Sequence, residues 1–271
     1  MNFLYKVLPL LAIMIASTFP ICAEDADEIL PTIPPISDLV RLHIENNYGK
    51  YDQNNLNSIY ARGRILFFDT EETIERTFRI YKKRPNKYRS FYETKMGQKL
   101  VQLELIYNGV EAIQILFHEG KEVYREKLEG EALESVKFEA KIEGPFLLAS
   151  EYPEFVTILG YDMIEGKKCI LLSIDERSPY PYRNIWLDTT NYQEVKVNRY
   201  ASNDLGEDVL EELYFRNYKT IQNVLFASRL DKEINGKRKF TTFIDNFEVN
   251  YGLFNSLFVV PSDSSIDSLV E

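Results

Sequence analysis

The sequence predicts a mainly β (α+β) fold: one large curved antiparallel sheet of about 10–11 strands, with helices plugging its concave face. Three observations predict it. From Leu56 to Val249, apolar residues recur at period two in runs bounded by turn-forming pairs. Aromatic residues make up 13% of the chain, with 18 Tyr and 17 Phe, a composition that points to β-structure with a large buried or cavity-lining surface and away from disorder. Only two segments, near residues 37–48 and 130–148, break the period. A sheet of this size cannot leave an apolar concave face to water, so these two segments are the ones available to cover it.

Taken in order, residues 24–36 are acidic and proline-containing and form a loose lead-in. Ser37 then serves as a helix N-cap, with Asp38 in the first turn, and Leu39, Val40, Leu42 and Ile44 keep helical spacing until Gly49 stops the helix. A second short helical stretch is expected before Leu56. Strands follow over Leu56–Phe68, Ile74–Ile80, Lys87–Met96, Gln98–Tyr107, Val110–His118 and Val123–Lys127. Asn108-Gly109 is the strongest hairpin signal, because both residues tolerate the positive φ of a type I′ turn. Gly130–Ile142 is rich in helix formers and ends at Gly144-Pro145, and Phe146, Leu147 and Leu148 follow as an apolar turn. Strands resume over Thr157–Ile164, Lys168–Asp175, Arg183–Asp188, Glu194–Tyr200, Val209–Tyr218, Leu225–Ile234 and Lys239–Val249, with Asn235-Gly236 a second hairpin turn. Residues 37–260 therefore form a single domain, since no long flexible linker divides them, and 261–271 are a polar tail.

The N-terminus carries Lys6, then an apolar run from Val7 to Phe19, then Ala23. The run is about thirteen residues, short of the roughly twenty that span a bilayer, so residues 1–23 are expected to be a secretory signal peptide cut after Ala23. Cys22 follows Ile21 where an acylated cysteine follows a small residue, so it is expected to leave with the signal. Cys169 is then the single cysteine of the mature chain, forms no internal disulfide, and sits in an apolar strand as a small buried filler. Loss of Lys6 takes the net charge from −10 to −11, a balance that favours solubility and argues against nucleic-acid binding. The product is expected to be exported, periplasmic and soluble.

Catalytic parts are missing. The two histidines, His43 and His118, are too few for a His-based metal site without carboxylate help, and both are expected at surface or boundary positions. There is no Gly-x-Ser-x-Gly elbow, no phosphate loop and no Cys-x-x-Cys pair. Neither an enzyme nor a cofactor or metal is expected. The one strong basic cluster, Lys82-Lys83-Arg84 with Lys87 and Arg89, is read as a solvated strand end that resists edge pairing, with contact to an anionic partner as the alternative.

The order of these elements resembles the periplasmic lipoprotein-carrier and outer-membrane lipoprotein-sorting family. The resemblance rests on Leu56–Gly63, on Lys83-Arg84-Pro85-Asn86-Lys87-Tyr88-Arg89, on Tyr107-Asn108-Gly109 and on a central helix ending near Gly144-Pro145. Leu159-Gly160, Ile164-Glu165-Gly166, Trp186-Leu187-Asp188 and Glu212–Lys219 with Leu225-Phe226 complete it, covering about residues 37–250. It implies a half-barrel closed by helices around an apolar cavity for acyl chains, and a lipid or acylated lipoprotein as partner, with an envelope membrane protein as a possible second. Alternating-face positions that could line such a cavity are Tyr88, Tyr92, Leu103, Leu105, Ile113, Ile115, Phe117, Leu172 and Trp186, and Arg89 is the candidate contact to the helical lid. Two other readings stand beside it: a protein-binding or sensor module on the same scaffold, and a hydrolase using a carboxylate pair.

Overall fold

From Ile33 onward the chain folds as one unit. The computed structural model describes residues 32–49, 55–68, 73–202 and 206–261. The expected signal peptide, residues 24–31 of the lead-in, the short helical stretch before Leu56 and nearly all of the polar tail lie outside them.

Thirteen strands form a single antiparallel, curved and unclosed sheet, more than the 10–11 expected because every period-two run finds a ladder partner. The first meander holds β1 (Ser58–Phe67), β2 (Ile74–Lys83), β3 (Lys87–Met96), β4 (Lys99–Tyr107), β5 (Ala112–His118) and β6 (Lys121–Leu128). The second holds β7 (Val156–Ile164), β8 (Lys167–Ile174), β9 (Asn184–Asp188), β10 (Glu194–Ser202), β11 (Asp208–Ile221), β12 (Val224–Ile234) and β13 (Lys237–Val249). The meanders join where β1 pairs with β13, Ile59 opposite Val249 and Phe67 opposite Phe240, leaving β6 and β7 as the two edges. Gly63 sits at a bulge in that seam; a Cβ there would meet the Phe243 carbonyl at 1.9 Å, so only glycine lets the two strands close.

Among the described residues three α-helices accompany the sheet: α1 (Ile36–Asn47), α2 (Gly130–Glu139) and α3 (Pro145–Ser150). Because α2 and α3 connect β6 to β7, they must cross from one sheet edge to the other. Helix α1 starts one residue before Ser37: the carbonyl of extended Pro35 accepts the N–H groups of Asp38 and Leu39, both at 3.0 Å. Ile36 thereby enters the helix and packs on the core beside Leu39 and Val40. Phe146, Leu147 and Leu148, expected as a turn, are with Ala149 the buried residues of α3, whose first helical position is Pro145.

Turn chemistry fixes the register. Asn235-Gly236 is a two-residue connection with φ of 50° and 73°, as a type I′ turn requires. Asn108-Gly109 instead opens a four-residue loop, and the return strand starts at Ala112, not Val110. The Asn108 side-chain oxygen accepts the N–H groups of Val110 and Glu111, at 2.9 and 3.0 Å, which makes the longer loop self-satisfied.

The helices pack on one face, called concave below. There, Leu39 of α1 and Phe146 and Ala149 of α3 close over Ile170, Leu172, Ile185, Leu187 and Val197. Val136 of α2 and its C-cap residue Ala140 close over Tyr88, Tyr107, Ala112 and Leu128. The opposite, convex face also carries apolar residues. Residues 250–261 run back across it, and Val260, like Phe117, packs against the cluster of Ile106, Ile113 and Ile115.

Candidate functional site

The concave face is only partly filled. Helix α2 leans on the first meander through Val136, Ala140 and Leu133, while α1 and α3 fill the space over β8–β10. Between them, under the other side of α2, a cavity of about 640 Å³ remains. Its floor is Val197, Leu213, Leu230 and Phe240, which share a face because β10–β13 are in antiparallel register. Its roof is Phe138, and Pro179, Pro181 and Tyr182 of the β8–β9 connection form a side wall. Phe138 meets Tyr180 and Tyr182 edge-on, with ring centroids 5.7 and 5.5 Å apart.

The strands also bring four charged residues to the lining, Arg199, Glu211, Glu212 and Lys232, with Glu212 paired to Lys196. Glu211 accepts from Arg199 Nε at 2.6 Å and lies 2.8 Å from Lys232 Nζ, so one carboxylate serves two cations. Burial pushes the Glu211 carboxyl up, but the hydrogen bonds from Lys232 and Arg199 outweigh it and hold it below its ordinary value. The glutamates that α2 brings to the same cavity, Glu131, Glu134 and Glu139, are exposed, and Glu134 is paired with Lys137 at 2.6 Å. The arrangement is an apolar chamber with a half-buried cationic corner and a wet acidic rim. Among the described residues no group of three or more His, Cys, Asp or Glu is placed to hold a metal.

The lid is anchored at its hinge, residues 141–144. From β2, Lys82 Nζ donates to the Lys141 carbonyl at 2.9 Å, and from the turn after it Arg84 pairs with Glu143 at 2.7 Å. From β10, buried Glu194 accepts the Phe146 N–H at 3.2 Å, and the Tyr48 hydroxyl after α1 accepts the Gly144 N–H at 3.4 Å. His43 completes this anchor: it is 1% exposed, donates from Nδ1 to the Tyr192 carbonyl at 2.7 Å, and places Nε2 3.9 Å from Glu194. This corrects the expectation of a surface or boundary histidine. His43 shares the buried face of α1 with Leu39 and Asn47, each four residues away.

The basic cluster is likewise not a solvated strand end. Lys82 and Arg84 hold the lid hinge, whereas Lys83, Lys87 and Arg89 hold the C-terminal segment, reaching the Leu253 carbonyl (2.6 Å), Asn255 Oδ1 (3.2 Å) and the Leu257 carbonyl (2.7 Å). Arg89, expected to touch the helical lid, lies on the convex face, paired with buried Glu104.

The nine cavity candidates divide between the faces. Tyr88, Tyr92, Leu103 and Leu105 are concave but lie on the first meander, and Leu172 is concave but completely buried under α1 and α3. Ile113, Ile115 and Phe117 face the convex side with Ile106, and Trp186 does so with Cys169 and Val195. The reason is register: Leu105 pairs with Gln114 and Leu103 with Leu116, which puts the odd-numbered β5 residues on the other face. Trp186 likewise pairs with Leu171, one step out of phase with Leu172, and donates its indole N–H to Asp162 at 2.8 Å. Cys169 is fully buried there, and burial pushes its thiol up to about 11, as expected of an inert filler. None of the nine lines the 640 Å³ cavity. The floor residues that do could have been found from the same alternation, carried into β10–β13. Which part of the sheet α2 leaves open has no signature in the strands themselves.

No protein-family model and no curated protein matches this chain. Solved structures do share its fold. A DUF1329 family protein from Desulfovibrio piger superposes with a TM-score of 0.54 at 12% identity, covering 84% of this chain and 98% of its own. A putative outer membrane lipoprotein-sorting protein domain from Vibrio parahaemolyticus gives 0.51 at 12% identity, with coverage of 82% and 94%. The chain thus has the fold of the lipoprotein-sorting domains that its sequence resembles, at identities that establish the architecture alone.

Proposed function

We propose that this protein is an exported, non-enzymatic carrier that shelters acyl chains of a lipid or lipoprotein in the cavity between α2 and β10–β13. The observation that carries the reading is the apolar chamber itself, roofed by a helix hinged at residues 141–144 and floored by Val197, Leu213, Leu230 and Phe240. Sheltering a chain there gains about 0.8 kcal/mol per buried CH₂, and release needs a lid that can part from its floor. Helix α2 suits that task, because Val136 is its buried side chain and, with Ala140 at its C-cap, lies toward the first meander, away from the cavity. A sorting role would follow from export through the expected signal peptide. Among the described residues no helix is long and apolar enough to cross a membrane. The shared architecture with a lipoprotein-sorting domain adds support to this reading. The test is displacement of a fluorescent acyl probe from the purified mature chain. Saturable binding that Leu230→Trp abolishes is expected, and a probe signal indifferent to that substitution would remove the cavity from the account.

A further inference from the structure

We infer that the cavity takes one single-chain amphiphile ending in an acidic group, with that group seated between Arg199 and Lys232. The inference rests on the carrier reading and narrows its ligand. Volume sets the chain number. A water's share of liquid volume is about 30 Å³ and a methylene needs a similar space, so 640 Å³ holds on the order of twenty chain carbons. One acyl chain fits, whereas a diacyl lipid needs about twice that space and a triacylated N-terminus about three times.

Charge sets the end group. Arg199 and Lys232 side chains are 37% and 20% exposed and share the single carboxylate of Glu211, itself 14% exposed, while Glu212 in the same lining is neutralised by Lys196, which leaves the half-buried corner with one net positive charge. The carboxylates of the α2 rim face water, where solvent and salt screen them, so the corner dominates what an entering head group meets. A ligand carboxylate or phosphate would take over hydrogen bonds now made to Glu211 while its chain lies along Leu213, Leu230 and Phe240.

The test is calorimetric titration of the delipidated full-length mature chain with palmitate, monoacyl lysophosphatidylglycerol, neutral monopalmitoylglycerol and dipalmitoyl phosphatidylglycerol. Expected are one-to-one binding of the two acidic single-chain probes and about tenfold or more weaker binding of the neutral one. The diacyl probe should also bind more weakly, and the carboxylate and phosphate arms tell which acidic group fits better. Arg199→Gln with Lys232→Gln should erase the acidic preference, bringing the acidic probes to or below the affinity of the neutral one, and a preference that survives would overturn the inference. Glu211→Gln, which removes the internal competitor, should tighten the acidic probes several-fold, a gain that misfolding cannot mimic. Neutral or diacyl probes binding as tightly as the acidic ones would overturn the inference while leaving a carrier. Binding of no probe at all would overturn both.

Discussion

Glu194→Ala removes the carboxylate that hydrogen-bonds β10 to the start of α3. Its carboxylate is 9% exposed and accepts the Phe146 N–H at 3.2 Å, with His43 Nε2 3.9 Å away. A hydrogen bond to a charged group contributes about 1.5–3 kcal/mol, and truncation leaves the Phe146 N–H buried without this acceptor. The expected loss is therefore about 2–3 kcal/mol. Glu194→Gln keeps the size and an acceptor oxygen and should lose only about 1 kcal/mol. Urea denaturation at constant m-value measures the total, and amide exchange over residues 144–151 localises it. If the loss is expressed as local opening, exchange there should quicken on the order of thirtyfold in the alanine variant. A shift within about 0.5 kcal/mol of the parent, or equal effects from both variants, would refute the anchoring role.

Other consequences are open to measurement. Leu213→Trp, like Leu230→Trp, should fill the cavity floor and lower acyl-probe affinity by at least tenfold with the fold intact by circular dichroism, and unchanged affinity would count against this cavity. Burial holds the hydroxyls of Tyr48, Tyr88, Tyr92, Tyr182 and Tyr218 above their ordinary pKa. The folded state thus keeps protons that the unfolded chain gives up, so stability should be complete below about pH 10 and fall above it, with native tyrosinate absorbance lagging the unfolded chain. At the acid end, burial pushes the Asp231 carboxyl up, but Arg229, Thr241 and Arg238 outweigh it and hold it low. The stability it contributes is present above about pH 4 and should be lost as pH falls through the depressed value. Asp231→Asn should flatten that acid limb and cost about 2–3 kcal/mol, below the usual figure for a broken buried pair because Arg216, Arg229 and Arg238 are partly solvated. Arg89→Ala should cost a similar amount and release the Leu257 segment, seen as faster exchange over residues 253–261.

The strands were legible because a half-buried sheet imposes period two, and the pairs Asn235-Gly236 and Glu165-Gly166 punctuate it with the positive φ that two-residue connections need. Face assignment was harder because this sheet is apolar on both sides in two places. Ile113, Ile115 and Phe117 look like core-facing residues because they are buried, but what covers them is the chain's own C-terminal segment. The hairpin already held the answer: whether Tyr107 pairs with Val110 or with Ala112, the odd-numbered β5 residues fall on the other face of the sheet from Leu103 and Leu105. The lid anchors were illegible for another reason. Lys82, Arg84, His43 and Glu194 lie up to about 150 positions apart, and nothing local marks a charged residue that will bond a distant backbone group. The cavity itself is a difference between helix volume and sheet curvature, a property that no single run of residues encodes.

Native mass spectrometry of the mature chain, purified without detergent from lipid-rich cells, tests the carrier reading most directly. The account predicts a peak displaced from the polypeptide mass by one acyl-chain-bearing molecule, absent from the Leu230→Trp variant. The bare polypeptide mass alone, from cells in which such lipids are abundant, would contradict it.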